Sequence, residues 1–456
     1  MGRVATATLA GVRFSRGATE GLKGRILSGS MWTLLGYASV QVLRFVSNAV
    51  LTHLLFPEAF GLMTLVNTVL MGLEMLSDVG TRASLIQNKH GEDASYLRTA
   101  FTINVLRGGL LWLSAGLLAY PLSVVFEQPE LARLLPVAAM SACILGFRST
   151  KVLLASRKLN LGRITLLNLS AQVLATAVMI PWAYWSSSIW PLVAGTLVAA
   201  LANTVGSHVL FPGQRDRFGW NRSAAREMFR FGRWIFVSTA LAYLAGRGDT
   251  LLMGRLLDAR QLGVFAVASN LAGVAGEALN QLGNSVLFPA YAKVFREEPR
   301  RVNQVLRKSR GILMGIGAVA YVGLILLGDF VVQQVYDDRY HAAGWILQTL
   351  ACGFMTGLLD RSYGGVLHAK GLSLESTVLQ FFQVLIKFGC LWLGYHFLGF
   401  TGVVLGVAFN AWLSYPVVAV VMARAGVWQP RLDACALAIA AVTTVVYWVF
   451  APVPGL

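Results

Sequence analysis

LTHLLFPEAFGLMTLVNTVLMGLEMLSDVG (51–80) and MGRLLDARQLGVFAVASNLAGVAGEALNQLG (253–283) are long, apolar and alike, and each buries a glutamate in the middle of a run suited to a membrane helix. A shift of 202 residues superposes Trp32 on Trp234, Leu54 on Leu256, Leu55 on Leu257 and Gly61 on Gly263. One residue more puts Asn67 on Asn270, Glu74 on Glu277 and Gly80 on Gly283. A shift of 213 then aligns FRSTKVLLASRKLNL (147–161) with DRSYGGVLHAKGLSL (360–374), so that Arg148 meets Arg361. Leucine on leucine means little in a chain that is 56% hydrophobic, but glutamate on glutamate and arginine on arginine inside apolar runs do. The spacing points to a tandem duplication.

Around these two stretches the rest of the chain is of the same kind. Only 13% of the 456 residues are charged and the mean hydropathy is +0.62, against about 25% charged in soluble domains. Runs long enough to span, roughly 20 apolar residues each, fall at 29–55, 60–86, 98–122, 131–156, 162–184 and 189–211. They resume at 229–256, 262–290, 310–328, 341–367, 375–397 and 399–422, with an extra one at 432–450. Period-two alternation is absent, which argues against a β-barrel. The expectation is an all-α polytopic membrane protein. It divides into a basic tail (1–28), a first lobe of helices 1–6 (29–211), a linker (212–228), a second lobe of helices 7–12 (229–422) and a C-terminal segment with the extra helix (423–456). Six is an even number, so the two bundles lie parallel, related by a pseudo-two-fold axis along the membrane normal.

The net charge of +17 fits this count. With the N-terminus inside, the cytoplasmic loops hold Lys89, Arg98, Arg157, Lys158 and Arg163, then Arg215 to Arg230, then the stretch from Lys293 to Arg310. The other side offers little beyond Arg133, Arg255, Arg260 and Arg339, the asymmetry that sets orientation in membranes. No separate basic domain exists to bind nucleic acid. Cys143, Cys352, Cys390 and Cys435 stand singly in apolar runs, without spacing for a metal or a disulfide framework. No catalytic motif or cofactor signature is present, so no enzyme is expected.

What the apolar runs cannot explain is their charge. The first helix carries Tyr37, Gln41, Arg44 and Asn48 on one face, and the second carries Asn67, Glu74, Asp78 and Arg82, with Asp78 and Arg82 spaced for an in-helix ion pair. Arg107, Arg247, Asp249, Glu277, Asp360, Arg361 and Lys387 interrupt others. Each such charge at the bilayer centre costs about 2.5–3.5 kcal/mol, and about a dozen facing lipid would exceed the roughly 5–15 kcal/mol by which proteins are stable. They must face one another or water. Parallel repeats with polar interiors are the build of secondary transporters.

The segments LTHLLFPEAFGLMTLV (51–66), MLSDVGTRASLIQ (75–87), LLASRKLNLGRI (153–164), GRGDTLLMGRLLDARQLGVFAVA (246–268) and VLFPAYAKV (286–294) resemble the polysaccharide transporter branch of the multidrug/oligosaccharidyl-lipid/polysaccharide exporter superfamily, the Wzx-type flippases. The resemblance covers roughly residues 25–425. It implies two six-helix lobes in a V, embedded in a bacterial inner membrane and opening alternately to each side. It also implies a lipid-linked (undecaprenyl-pyrophosphate) oligosaccharide as substrate, with membrane lipid, an H+ or Na+ coupling ion and the polysaccharide polymerase machinery as partners. A cationic cavity is expected at Arg44, Arg247, Arg361, Lys387 and Arg107 with Tyr37, Gln41 and Asn48. Coupling or ion-pair roles fall to Glu74, Asp78, Arg82, Asp249, Glu277 and Asp360, and protonation of Glu74 or Glu277 is a candidate release step. A cation-coupled drug or metabolite exporter of the same superfamily is the alternative, and a polytopic polymerase or glycosyltransferase a more distant one.

Overall fold

The structure is a computed structural model, and it describes residues 22–78, 80–81, 84–85, 88, 91–158, 160–282 and 302–450. Among these no strand occurs. The chain forms α1 (Leu22–Leu54), α2 (Pro57–Leu76), α3 (Ala94–Val125), α4 (Leu131–Gly146), α5 (Lys151–Arg157), α6 (Leu161–Trp185) and α7 (Trp190–Val209). Then come α8 (Arg222–Leu256), α9 (Ala259–Leu282), α10 (Val302–Val335), a 3-10 turn (Asp338–Tyr340), α11 (Ala342–Cys352), α12 (Phe354–Ala369), α13 (Ser373–Arg424) and α14 (Pro430–Phe450). α13 is two helices joined at Gly399, whose φ of 57° interrupts the helical backbone and suits a residue without Cβ.

Seven of the described helices are long and apolar enough to cross a membrane, or up to nine if the bent pairs α4–α5 and α11–α12 each count as one. α1, α8 and α9 are 33, 35 and 24 residues long, ample for a span at about 1.5 Å per residue. They also carry the polar faces that the sequence singled out. The periphery is coated with large apolar side chains: Leu117 on α3, Val319 and Leu326 on α10, and Val442 and Val445 on α14 are all mostly exposed. Such a surface suits lipid rather than water. The chain is a multi-pass membrane protein.

Three sequence expectations need correction. The fourth and tenth helices are not continuous: α4 and α5 bend by 67° and α11 and α12 by 46°. The first bend is held by Asp216 of the linker. Its carboxylate accepts from Ser149 Oγ at 2.5 Å, Thr150 Oγ1 at 2.6 Å and Thr150 N at 3.0 Å, which satisfies backbone and hydroxyl groups that a break exposes. The second helix also ends early. Ser77 closes α2 and Asp78 lies beyond it, accepting from the N–H of Gly80, whose φ is 68°. Asp78 thus stands in an Asp-x-Gly turn rather than in the expected helix, and Arg82, its expected partner, lies outside the described residues.

Arg310, expected in a cytoplasmic loop, is instead fully buried inside α10. It donates to Asp433 Oδ1 at 2.7 Å, to Ser362 Oγ at 2.9 Å and to Gln429 Oε1 at 3.4 Å, and its guanidinium lies 3.5 Å from the Tyr363 ring centre. Asp433 accepts in addition from the hydroxyls of Tyr363 (2.8 Å) and Tyr415 (2.9 Å). A buried ion pair survives only when its remaining hydrogen-bonding capacity is met, and here it is met from α10, α12, α13 and α14 together. The cluster fastens the extra helix α14 to its neighbours.

The two halves of the chain meet most closely where α2 crosses α9. A Cβ on Gly61 would stand 1.9 Å from Ala259 O, and one on Gly263 would stand 1.8 Å from Pro57 O. Pro57 and Ala259 are 202 residues apart, as are Gly61 and Gly263, so each contact is the counterpart of the other. Only glycine lets two backbones approach so closely in a membrane helix pair.

Candidate functional site

α8 runs between the halves. Its N-cap Asn221 accepts from the N–H groups of Ser223 and Ala224, the standard start for a helix. Toward α2, Tyr243 donates to Thr68 O at 2.9 Å and packs on Gly72, and Thr239 donates to Met75 O at 3.2 Å. Toward α13, Gly248 sits under the Phe388 ring. The next turns of α8 line a cavity of about 470 Å³ bounded by α9, α11, α12 and α13.

This second-half cavity gathers five of the charges expected at a site: Arg247, Asp249, Asp360, Arg361 and Lys387. Lys387 on α13 reaches α8, donating to Ala245 O at 2.7 Å and to Asp249 Oδ2 at 3.5 Å. Asp249 also accepts from the N–H of Thr250 at 2.8 Å. Asp360 on α12 is hydrogen-bonded by Gln383 of α13 and attracted by Arg361, and Arg361 packs over Gly276 of α9. Three cations stand against two carboxylates, both of which already have partners. The surplus makes the cavity suited to an anion, with donors fixed in place before any ligand arrives.

The first half holds two cavities that share Glu74. One, of about 320 Å³, lies among α2, α3, α4 and α5 and is lined by Glu74, Asp78, Asn104, Arg107 and Arg148. Arg107 is spent there on the end of α2, donating to Glu74 O at 2.6 Å and to Ser77 Oγ at 3.0 Å as cations do at helix C-termini. The other, of about 370 Å³, lies among α2, α4, α6 and α7.

The remaining expected residues are not drawn together. Arg44 is exposed on α1, Gln41 and Asn48 are half-buried there, and Glu277 is exposed on α9. None of the four lines a cavity described above. The side chain of Tyr37 lies outside the described residues.

At one end of the molecule the halves are latched. Arg339, after α10, donates to the last carbonyls of α1, Thr52 O at 3.3 Å and His53 O at 3.1 Å, and is steadied by Asp337 at 2.6 Å. That hydrogen bond holds the Asp337 carboxyl below its usual range. Beside it Tyr340, fully buried, donates to Leu55 O at 3.1 Å and meets the Phe60 ring edge-on, while Arg339 lies 4.7 Å from the Phe56 ring. Sequence reading found Arg339 only as a stray outer charge and missed the latch, whose acceptors are backbone carbonyls that no residue type announces.

Comparison with known proteins places the chain in a family. A family model described as "Polysaccharide biosynthesis protein" matches residues 50–344. The lipopolysaccharide biosynthesis protein WzxC of Escherichia coli K12 is 24% identical over 403 residues, spanning 86% of this chain and 81% of WzxC. Among solved structures, the lipid II flippase MurJ in an inward closed conformation superposes with a TM-score of 0.67 at 12% identity, covering 93% of this chain and 92% of MurJ. An inward-facing multidrug resistance transporter of the MATE family gives 0.64 at 15% identity, with 86% and 95% covered. At these identities the two structures speak for the fold alone.

Proposed function

Since the chain belongs to the polysaccharide biosynthesis protein family, we propose that it flips a lipid-linked oligosaccharide across the bacterial inner membrane by alternating access. It is a transporter, not an enzyme. The single observation that carries the mechanism is the second-half cavity. Its cations, Arg247, Arg361 and Lys387, outnumber its carboxylates and converge from three helices. A diphosphate carries the charge such a cluster needs, and an isoprenoid tail can remain in the bilayer while the headgroup is held. The alternative, a cation-coupled drug or metabolite exporter, is not favoured: the curated relatives are named for polysaccharide biosynthesis and transport, and the surplus of cations would repel a cationic cargo.

We take the halves to be two six-helix lobes, with α14 fastened to the second and the N-terminus in the cytoplasm. The basic loops then mark the inner side, and the α2–α9 glycine crossing and the Arg339 latch both lie at the outer side. The inner side is where the lobes can part. α2 packs along α8, whereas among the described residues α1 and α9 make at most marginal contact. That unequal seam is our candidate passage for the lipid tail, and Arg44 and Glu277 are exposed on the two helices that flank it. H+ or Na+ coupling through Glu74 or Glu277, and contact with a polymerase, belong to the same proposal.

Arg361→Gln and Lys387→Gln should each abolish surface polysaccharide in a strain that depends on this protein, with protein abundance in the membrane unchanged. Normal polysaccharide in both variants would remove the cavity from the transport path.

A further inference from the structure

The cavity among α2, α4, α6 and α7 has a chemistry unlike the one across the molecule. Three helices each present a stripe to it at spacings of one and two turns: Asn67, Met71 and Glu74 from α2, Gln172, Ala175 and Met179 from α6, and Thr196, Ala199 and Asn203 from α7. The stripes run over about 10 Å of helix. No arginine or lysine lines the cavity, and one carboxylate, Glu74, does. An anion would therefore be repelled. Among the described residues the Asn67 and Gln172 amides have no hydrogen-bond partner, while Asn203 donates to Ala199 O at 3.1 Å and Thr196 to Leu192 O at 3.0 Å. These groups leave amide donors and acceptors, a hydroxyl oxygen and a carboxylate facing the space. Met71 and Met179, with Ala175, Ala199 and Ala200, supply an apolar wall.

We propose that this first-half cavity holds the sugar of the cargo, neutral and polyhydroxylated, while the cationic cavity of the second half holds the diphosphate. A sugar ring needs paired donors and acceptors along its edge and apolar contact along its C–H face, and both are present. The volume of about 370 Å³ lies within the usual range of small-molecule sites, about 300–1,000 Å³. It is far larger than a desolvated ion requires, and no cluster of three metal-ligating side chains occurs among the described residues.

The two cavities lie on either side of one seam. α2 turns Asn67, Met71 and Glu74 to the amide cavity, and with Thr68, Gly72 and Met75 it holds Tyr243 and Thr239 of α8. One turn further along α8, Arg247 enters the cationic cavity. The proposal requires one sugar-diphosphate headgroup to reach from one cavity to the other past this helix pair when the lobes close around it.

The proposal rests on the flipping reading, and the test separates the two. The purified full-length protein is titrated with bare undecaprenyl diphosphate and with the same lipid carrying one glucose, galactose or N-acetylglucosamine. At least one sugar-bearing probe should bind the wild type about tenfold more tightly than the bare lipid. Gln172→Leu and Asn203→Leu should bring that ratio to about one while leaving bare-lipid affinity unchanged, which also reports an intact fold. Thr196→Val, which removes only a hydroxyl, should lower the ratio severalfold. Arg361→Gln should weaken all probes together. Equal binding of bare and sugar-bearing lipids to the wild type overturns the proposal and leaves flipping standing. A sodium- or pH-dependent affinity lost in the Leu variants, with no sugar increment, assigns the cavity to a cation and overturns it too. Failure of the wild type to bind any of the lipids strikes the flipping reading itself.

Discussion

Lys387 and Asp249 face each other across 3.5 Å with both side chains largely buried, and such a pair has two possible meanings. If it only neutralises buried charge, removing both charges together should be nearly harmless, because apolar or neutral pairs replace buried ion pairs at little cost. If Lys387 also binds substrate, the double neutralisation stays inactive. We expect Lys387→Gln with Asp249→Asn to be present in the membrane at normal abundance and to export no polysaccharide. Restored export would reduce the pair to a structural strut. Arg310 and Asp433 make the contrasting case. Their hydrogen bonds and the Tyr363 ring fill the space around them, so they serve stability. Asp433→Ala strands a buried guanidinium and should cost about 3–5 kcal/mol, seen as a large fall in thermal stability in detergent. An unchanged melting temperature would contradict that assignment. At this scale the sequence was half legible. Rarity of charge in apolar runs picked out Arg247, Asp249, Asp360, Arg361 and Lys387 among others, and the fold sets these five around one cavity. The same logic misplaced Arg310, because a basic residue at the edge of a basic loop and one buried more than two turns inside the helix look alike in a linear string. Asp433 was passed over for the same reason, standing at the start of the last apolar run.

Among elements, the helices announced themselves and their interruptions did not. Apolar run length follows bilayer thickness, so thirteen runs could be read directly. The bends at 147–150 and at Gly353 depend on who satisfies the freed backbone groups, and in the first case that is Asp216, 66 residues from Thr150. Likewise the end of α2 is set by the Asp78–Gly80 turn, which a ridge of polar residues continuing to 82 concealed. The element most open to test is the Arg339 turn. Its two hydrogen bonds to the α1 carbonyls tie the end of one half to the other, and charge-assisted bonds of this kind contribute about 1.5–3 kcal/mol. Arg339→Ala should therefore shift the balance toward the outward-open form by roughly tenfold or more. A cysteine at Leu55, buried in the latched structure, should then react severalfold faster with a membrane-impermeant maleimide added from outside. An unaltered rate would show that the latch does not control opening.

For the molecule as a whole, the repeat read from the sequence has a counterpart in a physical contact. Residues that a shift of 202 brings into register, Gly61 and Gly263, lie against one another, so the relation between halves is carried in backbone packing and not only in composition. What the halves do not share is the chemistry of their cavities: cations dominate one, amides and a carboxylate the other. That divergence was invisible in the alignment, because Gln172, Thr196 and Asn203 are ordinary polar residues until three helices set them around one space. The central claim is that this chain carries a lipid-linked oligosaccharide from the inner to the outer leaflet. The most direct measurement is the leaflet distribution of the undecaprenyl-diphosphate-linked glycan in cells from which the protein is depleted. The glycan should accumulate on the cytoplasmic leaflet, and wild-type protein but neither Arg361→Gln nor Lys387→Gln should return it to the periplasmic one. An outer-leaflet pool that stays at its normal size after depletion would contradict the account.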